Sequence, residues 1–189
     1  MYASDVSNLL RESFLAAEVI SVESYDYIIH PLLDGVPAVE PELLNEVTNS
    51  FFEMMDKNCD IIVAPEAMGL PLAASLSIVS GIPYTAIRKR SYGLPNEVKI
   101  HQPTGYSDRE IYLNGIKKED RVVIIDDVVS TGSTIRGIVN AIRGIGAEVL
   151  EVLVVADKGE HSEGLEIELD VAIKYLLRLK IKDGRIIID

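Results

Sequence analysis

Apolar residues follow helical spacing in some segments and form short compact runs in others, which predicts helices and strands in turn. Helical spacing predicts a helix over residues 4–20. Further predicted helices cover Glu40–Met55, with Pro41 at the first helical position, Pro71–Ser80, and a segment that begins at Ile135 and ends near Gly144 or Gly146. Short apolar runs predict strands at Ile61–Ala64, Tyr84–Ile87, Arg121–Ile125 and Glu148–Val155, and Ala172–Leu179 fits either a strand or a helix.

Two segments lack a regular pattern. Residues 25–39 contain two prolines and a glycine and are predicted to be irregular. Residues 89–116 are polar and are predicted to form a long excursion, for which a hairpin is one candidate. Elsewhere strands alternate with helices, which predicts an α/β fold with a mostly parallel sheet and right-handed crossovers. Ligands bind at the carboxyl ends of the strands in such sheets, and the candidate site residues all follow predicted strands.

The composition narrows the classes of function. The chain has 189 residues, 48% hydrophobic and 25% charged, which favours a single domain, 1–189, with a sizeable core. No apolar run approaches the about 20 residues of a membrane span, and the first residues do not resemble a signal peptide. The one cysteine, Cys59, fits a reducing compartment, so a cytoplasmic location is expected. A net charge of −12 argues against nucleic acid and anionic membranes as partners.

The stretch VVIIDDVVSTGST, Val122–Thr134, carries the most specific chemistry. An apolar strand leads to Asp126 and Asp127, and small residues then open a helix. The loop offers N–H groups, hydroxyls and a helix dipole to a phosphate, and the acids suit sugar hydroxyls or Mg²⁺. An ordinary strand-loop-helix with Ser130 or Thr131 as N-cap would explain the hydroxyls. It would not explain two carboxylates at the end of so apolar a strand, where burying charge is costly without a partner, so the stretch indicates a site for a phosphorylated ribose.

This stretch closely resembles the phosphoribosyl-pyrophosphate (PRPP) signature of type I phosphoribosyltransferases, and every position of that pattern is matched. The resemblance covers about residues 25–178 and implies the family's fold, a mostly parallel central sheet flanked by helices, with a small hood. It implies that Asp126 and Asp127 are catalytic, and that Mg²⁺ is bound mainly through PRPP, with either acid as a possible ligand. The implied 5′-phosphate loop consists of Ser130, Thr131, Gly132, Ser133 and Thr134.

Two further motifs match the family's pyrophosphate-binding positions. Glu66, Ala67, Met68 and Gly69 follow a predicted strand and look like the xanthine phosphoribosyltransferase version of the pyrophosphate loop. A plain strand-to-helix turn, with Gly69 allowing tight packing, is the alternative. Arg88 and Lys89, with Arg90, form the densest basic patch of an acidic chain. Adenine and xanthine phosphoribosyltransferases place an Arg-Lys pair here against pyrophosphate, and a solvated turn is the alternative.

The resemblance also implies a mobile lid at about 90–113 and a hood built from about 20–40 and 157–189. Gly93 and Gly105 are candidate flexible points of the lid, and Lys99 and His101 are candidate pyrophosphate contacts, although the lid departs from the adenine enzymes' pattern. A closed lid would exclude water from the reacting sugar. The hood offers Tyr25, Tyr27 and His30 as candidates for stacking on a base, and each could equally belong to the core.

Lys158 is the candidate for base selection. In hypoxanthine-guanine and xanthine enzymes a Lys follows the corresponding strand and donates to the purine's 6-oxo group, because an ammonium cannot accept from adenine's amino group. A surface lysine is the alternative. One departure concerns Ser130, which stands where some hypoxanthine-guanine enzymes have an Asp. Archaeal-type hypoxanthine/guanine phosphoribosyltransferases look closest, which implies purine salvage and, by resemblance, a homodimer. The alternatives are an adenine enzyme, an orotate enzyme and a PRPP-sensing regulator.

Overall fold

The computed structural model describes residues 8–22, 25–104, 107–159 and 161–189. In chain order the strands are β1 (Glu18–Val22), β2 (Tyr25–Ile29), β3 (Ile61–Pro65), β4 (Tyr84–Ile87), β5 (Val98–Thr104), β6 (Ser107–Leu113), β7 (Arg121–Val129), β8 (Glu148–Lys158), β9 (Ala172–Lys182) and β10 (Arg185–Ile188). The helices are α1 (Asn8–Leu15), α2 (Pro31–Asp34), α3 (Pro41–Met54), α4 (Gly69–Ser80), α5 (Ser133–Ile145) and α6 (Ser162–Leu169).

A six-stranded sheet forms the centre of the fold, with the strand order β10-β9-β8-β7-β3-β4. All neighbours in it are parallel except β10, which pairs antiparallel with β9. Successive residues of β7 point to opposite faces, so Val123 and Ile125 join the core beneath α1, α3 and α4. Val122 and Ile124 join a second core beneath α5 and α6. The α/β fold with a mostly parallel central sheet, predicted above, is therefore confirmed.

Two hairpins lie outside the sheet. Strands β1 and β2 pair antiparallel from Glu18↔Ile29 to Val22↔Tyr25. Strands β5 and β6 pair antiparallel over residues 98–104 and 107–113, so the hairpin considered for the polar excursion is present. A single bridge between Arg88 and Tyr112 joins this second hairpin to the end of β4, and α5 packs against β5.

The N-terminal predictions were partly wrong. The helix expected over residues 4–20 is described only at Asn8–Leu15, and Glu18–Val22 is a strand because Val19, Ile20 and Val22 are β-branched. Residues 4–7 lie outside the described part. The segment 25–39, expected to be irregular, contains strand β2 and the short helix α2. The ambiguous segment at 172–179 is strand β9.

Candidate functional site

The two acids of the signature lie inside β7, beyond the last residue of that strand that pairs with β3. The paired residues end at Ile124, and β7 continues to Val129 along its other neighbour, β8. Asp126 is buried and Asp127 is half-buried. Beyond Ile124 the side of β7 that faces β3 is unpaired among the described residues, and the loop that follows β3 lies opposite it. Both carboxylates line the cavity between that loop and β7. The predicted strand stopped at Ile125, four residues too early.

Burial perturbs both carboxylates. It raises the pKa of Asp126 well above its ordinary value, and the neighbouring charge of Asp127 adds to the effect. Burial also raises the pKa of Asp127. Backbone N–H groups hold the side chains, since Asp127 N donates to Asp126 Oδ1 and Val128 N donates to Asp127 Oδ1, each at 2.9 Å. Within the described ranges no ion pair reaches either acid, so a ligand with hydroxyls or a cation would relieve their burial.

The small-residue loop surrounds a cavity of about 260 Å³. Its lining comprises the consecutive residues 126–135. Gly132 has the left-handed conformation, with φ of 73°, and precedes the first turn of α5. Among the described residues no side chain caps this helix, so its first N–H groups point toward the loop without a side-chain acceptor. The hydroxyls of Thr131 and Ser133 lie 3.4 Å apart at the same place, and together these donors suit a phosphate.

The loop between β3 and α4 lies opposite the acids. Glu66, Ala67 and Met68 form this loop, and the Glu66–Ala67 peptide bond is cis. Gly69 begins α4, two residues earlier than predicted, and a Cβ on it would lie 3.0 Å from the carbonyl oxygen of Ile125. Gly69 therefore lets α4 approach β7 closely, as the packing alternative proposed.

The basic residues after β4 contact the same loop through Glu66. Arg88 Nε lies 3.1 Å from Glu66 Oε2, and the backbone N–H of Lys89 donates to Glu66 Oε1. Lys89 itself lines a cavity of about 350 Å³ with residues 65–68, both acids and Thr134. The structure thus brings Lys89 and the loop to the acids, whereas Arg88 is ion-paired with Glu66 and does not line this cavity.

Lys158 is the last residue of β8, which lies on the other side of β7 from β3 and β4 and therefore from Lys89. Its Nζ donates to the backbone oxygen of Asp26 in β2. A third cavity, of about 220 Å³, is lined by Tyr27, Ile28, Leu33, Asp34, Asp127, Val128 and Lys158. Asp127 is common to all three cavities, so the three subsites meet at this carboxylate.

The candidates for base stacking separate in the structure. Tyr27 lines the cavity beside Lys158, whereas the side chain of Tyr25 lies outside the described part. His30 is fully buried, stacks on Phe14 with ring centroids 3.8 Å apart, and accepts from Leu32 N at the start of α2. Burial lowers the pKa of His30 to about 4. His30 is therefore a core residue.

Leu33 and Asp34 of α2 were not anticipated as site residues, and Leu33 lines both the Lys89 cavity and the Lys158 cavity. A helix of four residues is too short to leave a periodic signal. Lys99 forms an ion pair with Glu110 and lines a separate cavity of about 970 Å³ between the second hairpin and α5. Gly93 is described, has a positive φ of 65°, and donates its N–H to Ser91 Oγ and Glu97 Oε1. The side chain of His101 and the residue Gly105 lie outside the described part.

Metal binding by the chain alone would rest on two carboxylates. In the described part of the chain, His, Cys, Asp and Glu form no group of three or more placed to hold a metal ion. Over the same residues, none of the helices has the length and apolar character needed to cross a membrane.

Comparisons with known proteins show which family the chain resembles over most of its length. A family model described as "Phosphoribosyl transferase domain" matches residues 41–171. The chain is 44% identical to a hypoxanthine/guanine phosphoribosyltransferase of Methanococcus maripaludis over 181 residues, 96% of this chain and 98% of the relative. It is 45% identical over 175 residues to the protein of that name from Methanocella paludicola, 93% of this chain and 91% of the relative.

Solved structures share the fold at lower identity. Adenine phosphoribosyltransferase from Leishmania tarentolae superposes with a TM-score of 0.76 at 19% identity, covering 94% of this chain and 90% of that one. The yeast adenine enzyme, solved with an imino-altritol bisphosphate and adenine, gives a TM-score of 0.72 at 21% identity, covering 89% and 98%. At this identity the similarity shows the fold and does not indicate which base the chain uses.

Proposed function

The chain belongs to the phosphoribosyltransferase family, and we propose that it transfers the 5-phosphoribosyl group of PRPP to hypoxanthine or guanine in purine salvage. A purine nitrogen would form the new bond to the anomeric carbon and lose its proton to water or to the leaving pyrophosphate. Pyrophosphate would leave with the bonding pair, and the products would be IMP or GMP and pyrophosphate. The observation that carries the proposal is the convergence of three cavities on Asp127, one beside the phosphate loop, one beside Lys89 and one beside Lys158.

The signature stretch would hold the phosphorylated ribose. The 5′-phosphate would lie in the loop of Ser130, Thr131, Gly132, Ser133 and Thr134, where the N-terminus of α5 and the hydroxyls supply donors. Asp126 and Asp127 would accept from the ribose hydroxyls. Their raised pKa values reflect burial, with no ion pair to either acid from the part of the chain that the structure describes, and hydroxyl donors would favour their ionised forms.

Magnesium would enter the site with PRPP. Two adjacent carboxylates offer hard oxygen ligands, and their burial without an ion pair is the feature that fits a divalent cation. Asp126 or Asp127 would hold the ion, and the remaining ligands would be PRPP oxygens and water. When bound, Mg²⁺ neutralises developing charge on the leaving pyrophosphate.

The leaving pyrophosphate would lie between residues 66–68 and Lys89. The ammonium of Lys89 supplies positive charge at the edge of an acidic site. Glu66 would hold the basic segment in place, because its carboxylate contacts both Arg88 and the backbone of Lys89. Arg88 would reach pyrophosphate only by giving up this ion pair.

The base would lie beside Lys158. The contact between Lys158 Nζ and Asp26 O ties the ammonium to the first hairpin and orients it toward the cavity that contains Tyr27. An ammonium donates to a 6-oxo group and cannot accept from an amino group, so hypoxanthine and guanine would be preferred over adenine. Tyr27 would cover a face of the base.

The proposal extends to the organisation of the chain. Residues 1–189 would form one domain, with a hood from about 20–40 and 157–189 and a lid from about 90–113. Ile78 and Val79 at the end of α4 are exposed, as is Tyr84 on edge strand β4, against which α4 packs, and these exposed apolar residues support a homodimer. The single buried Cys59 is consistent with the cytoplasm.

The base assignment is tested with Lys158→Gln, and Lys182→Gln, at the exposed last residue of β9, is the control. Glutamine supplies both a donor and an acceptor, so the ratio of kcat/KM for hypoxanthine to that for adenine should fall at least about tenfold, since donor-specific sites discriminate by up to about 10⁴. The control should keep the wild-type ratio. An unchanged ratio in Lys158→Gln would remove Lys158 from base selection.

A further inference from the structure

Helix α6 packs directly behind the phosphate loop. A Cβ built on Gly132 would lie 2.1 Å from Leu165 Cδ1 and 2.6 Å from Cδ2, so the side chain of Leu165 occupies the space that a larger residue at position 132 would need. Leu165 is 3% exposed and belongs to the core beneath α5. The backbone of the loop at Gly132 therefore packs against the side chain of Leu165 in α6.

A second contact joins α6 to the same part of the site. Arg136, in the first turn of α5, donates to both oxygens of Glu168 at 2.6 and 2.7 Å. The backbone N–H of Arg136 donates to the carbonyl of Gly132 at 2.9 Å. A planar guanidinium that makes two parallel bonds fixes direction as well as distance, so Glu168 holds the helix turn that follows the loop.

The other end of α6 is anchored at the base subsite. Asp157 is fully buried and immediately precedes Lys158. Its carboxylate accepts from Ser162 Oγ at 2.6 Å, from His161 N at 3.2 Å and from Arg178 Nε at 3.2 Å. These bonds tie the N-terminus of α6 to the end of β8. Helix α6 is thus bonded at its N-terminus to Asp157, which precedes Lys158, and packs through Leu165 against Gly132.

We propose that α6 is the element that fixes the phosphate loop relative to the base subsite, and that Leu165 is the positioning residue for the 5′-phosphate. The inference rests on the proposed function, because it takes residues 130–134 to bind that phosphate. Leu165 does not line the cavity beside the phosphate loop and would act through the backbone of Gly132. Its loss should let the loop N–H groups move away from the geometry that a phosphate requires, while the pyrophosphate loop on the far side of β7 stays in place.

The test compares Leu165→Ala with Leu169→Ala, which removes an equally buried leucine one turn later in the same helix. Binding of IMP and of magnesium pyrophosphate is measured by calorimetry, and KM for PRPP and kcat by steady-state assay. Leu165→Ala should weaken IMP and raise KM for PRPP about tenfold, with magnesium pyrophosphate affinity and kcat within about twofold of wild type. Leu169→Ala should lower thermal stability comparably and leave IMP affinity unchanged. Leu165→Met, which conserves volume, should restore IMP binding.

A second variant and several further outcomes decide the inference. Glu168→Gln weakens the bidentate pair without opening a cavity, and it should weaken IMP about threefold but not pyrophosphate, even if Leu165→Ala does not fold. Equal loss of IMP affinity in Leu165→Ala and Leu169→Ala, or equal loss of IMP and pyrophosphate, would overturn the positioning role. Wild-type protein that binds neither IMP nor PRPP would overturn the proposed function itself, and a wild-type-like Leu165→Ala would overturn the inference alone.

Discussion

His30 should make the protein sensitive to mild acid through the fold rather than through the site. The ring is fully buried against Phe14, and its Nδ1 accepts from Leu32 N, which requires the neutral form at that nitrogen. Burial lowers the pKa of His30 from 6.5 to about 4. Between these two values the unfolded chain binds a proton that the folded chain does not, so stability falls as the pH falls from 6.5 toward 4.

The size of the effect follows from the two pKa values. A shift of about 2.5 units corresponds to at most about 3 kcal/mol, reached only below the folded pKa. Between about pH 7 and about pH 5 the loss from this one group amounts to about 2 kcal/mol. In a chain of this length a change of that size lowers Tm by roughly 4–8 °C.

The assay is urea unfolding of the wild type and of His30→Asn at several pH values between about 7 and 5. Asparagine keeps an oxygen acceptor at the start of α2 but has no proton to gain. The variant should be less stable at neutral pH because it loses the ring stack, and its loss of stability on acidification should be about 2 kcal/mol smaller than that of the wild type. The exposed His161, changed to Asn, serves as the control and should follow the wild type.

Identical pH dependence in wild type and His30→Asn would refute the reasoning about burial. A change in KM for hypoxanthine in His30→Asn, without a change in KM for PRPP, would instead return His30 to the base subsite. The structure leads us to expect no such change, because the ring contacts Phe14 and Ser13 rather than the cavity beside Lys158.

Two further expectations concern the charged residues of the site. Asp126→Asn should lower kcat/KM at least about 10²-fold without lowering Tm, because burial raises the pKa of this carboxyl and its ionised form is unfavourable in the fold. The control, Asp60→Asn, breaks the ion pair with Arg121 and should lower Tm instead. Wild-type turnover of Asp126→Asn would contradict the assignment. Lys89→Ala should weaken magnesium pyrophosphate about tenfold but affect IMP much less, with the exposed Arg90→Ala as control, and equal losses for both ligands would indicate a general electrostatic effect.

The sequence was most informative where burial and charge conflict. Asp126 and Asp127 follow an apolar run that can only be a buried strand, so their position toward the carboxyl ends of the parallel strands follows from general rules. Gly132 and the hydroxyl residues after it predict the turn because few other residues adopt a positive φ there. These features are local, and short-range pattern is sufficient to predict them.

The parts that could not be predicted depend on contacts between distant residues. Helix α2 has four residues, and its ends are fixed by His30, which accepts from Leu32 N, and by Asp34, which accepts from His30 N. No periodic signal of that length exists. The ion pair of Glu66 with Arg88 forms only because β3 and β4 are neighbours in the sheet, so the sequence pointed to both residues as pyrophosphate contacts without indicating that they bind each other.

The central claim is tested most directly by one product assay with the wild-type protein. PRPP and Mg²⁺ are incubated with hypoxanthine, guanine or adenine, and nucleotide and pyrophosphate are measured together. The expected result is formation of IMP or GMP with one pyrophosphate each, and a kcat/KM for adenine lower by at least about 10²-fold, as a donor-only lysine in the base subsite requires. Preferential formation of AMP, or no nucleotide from any of the three bases, would contradict the account.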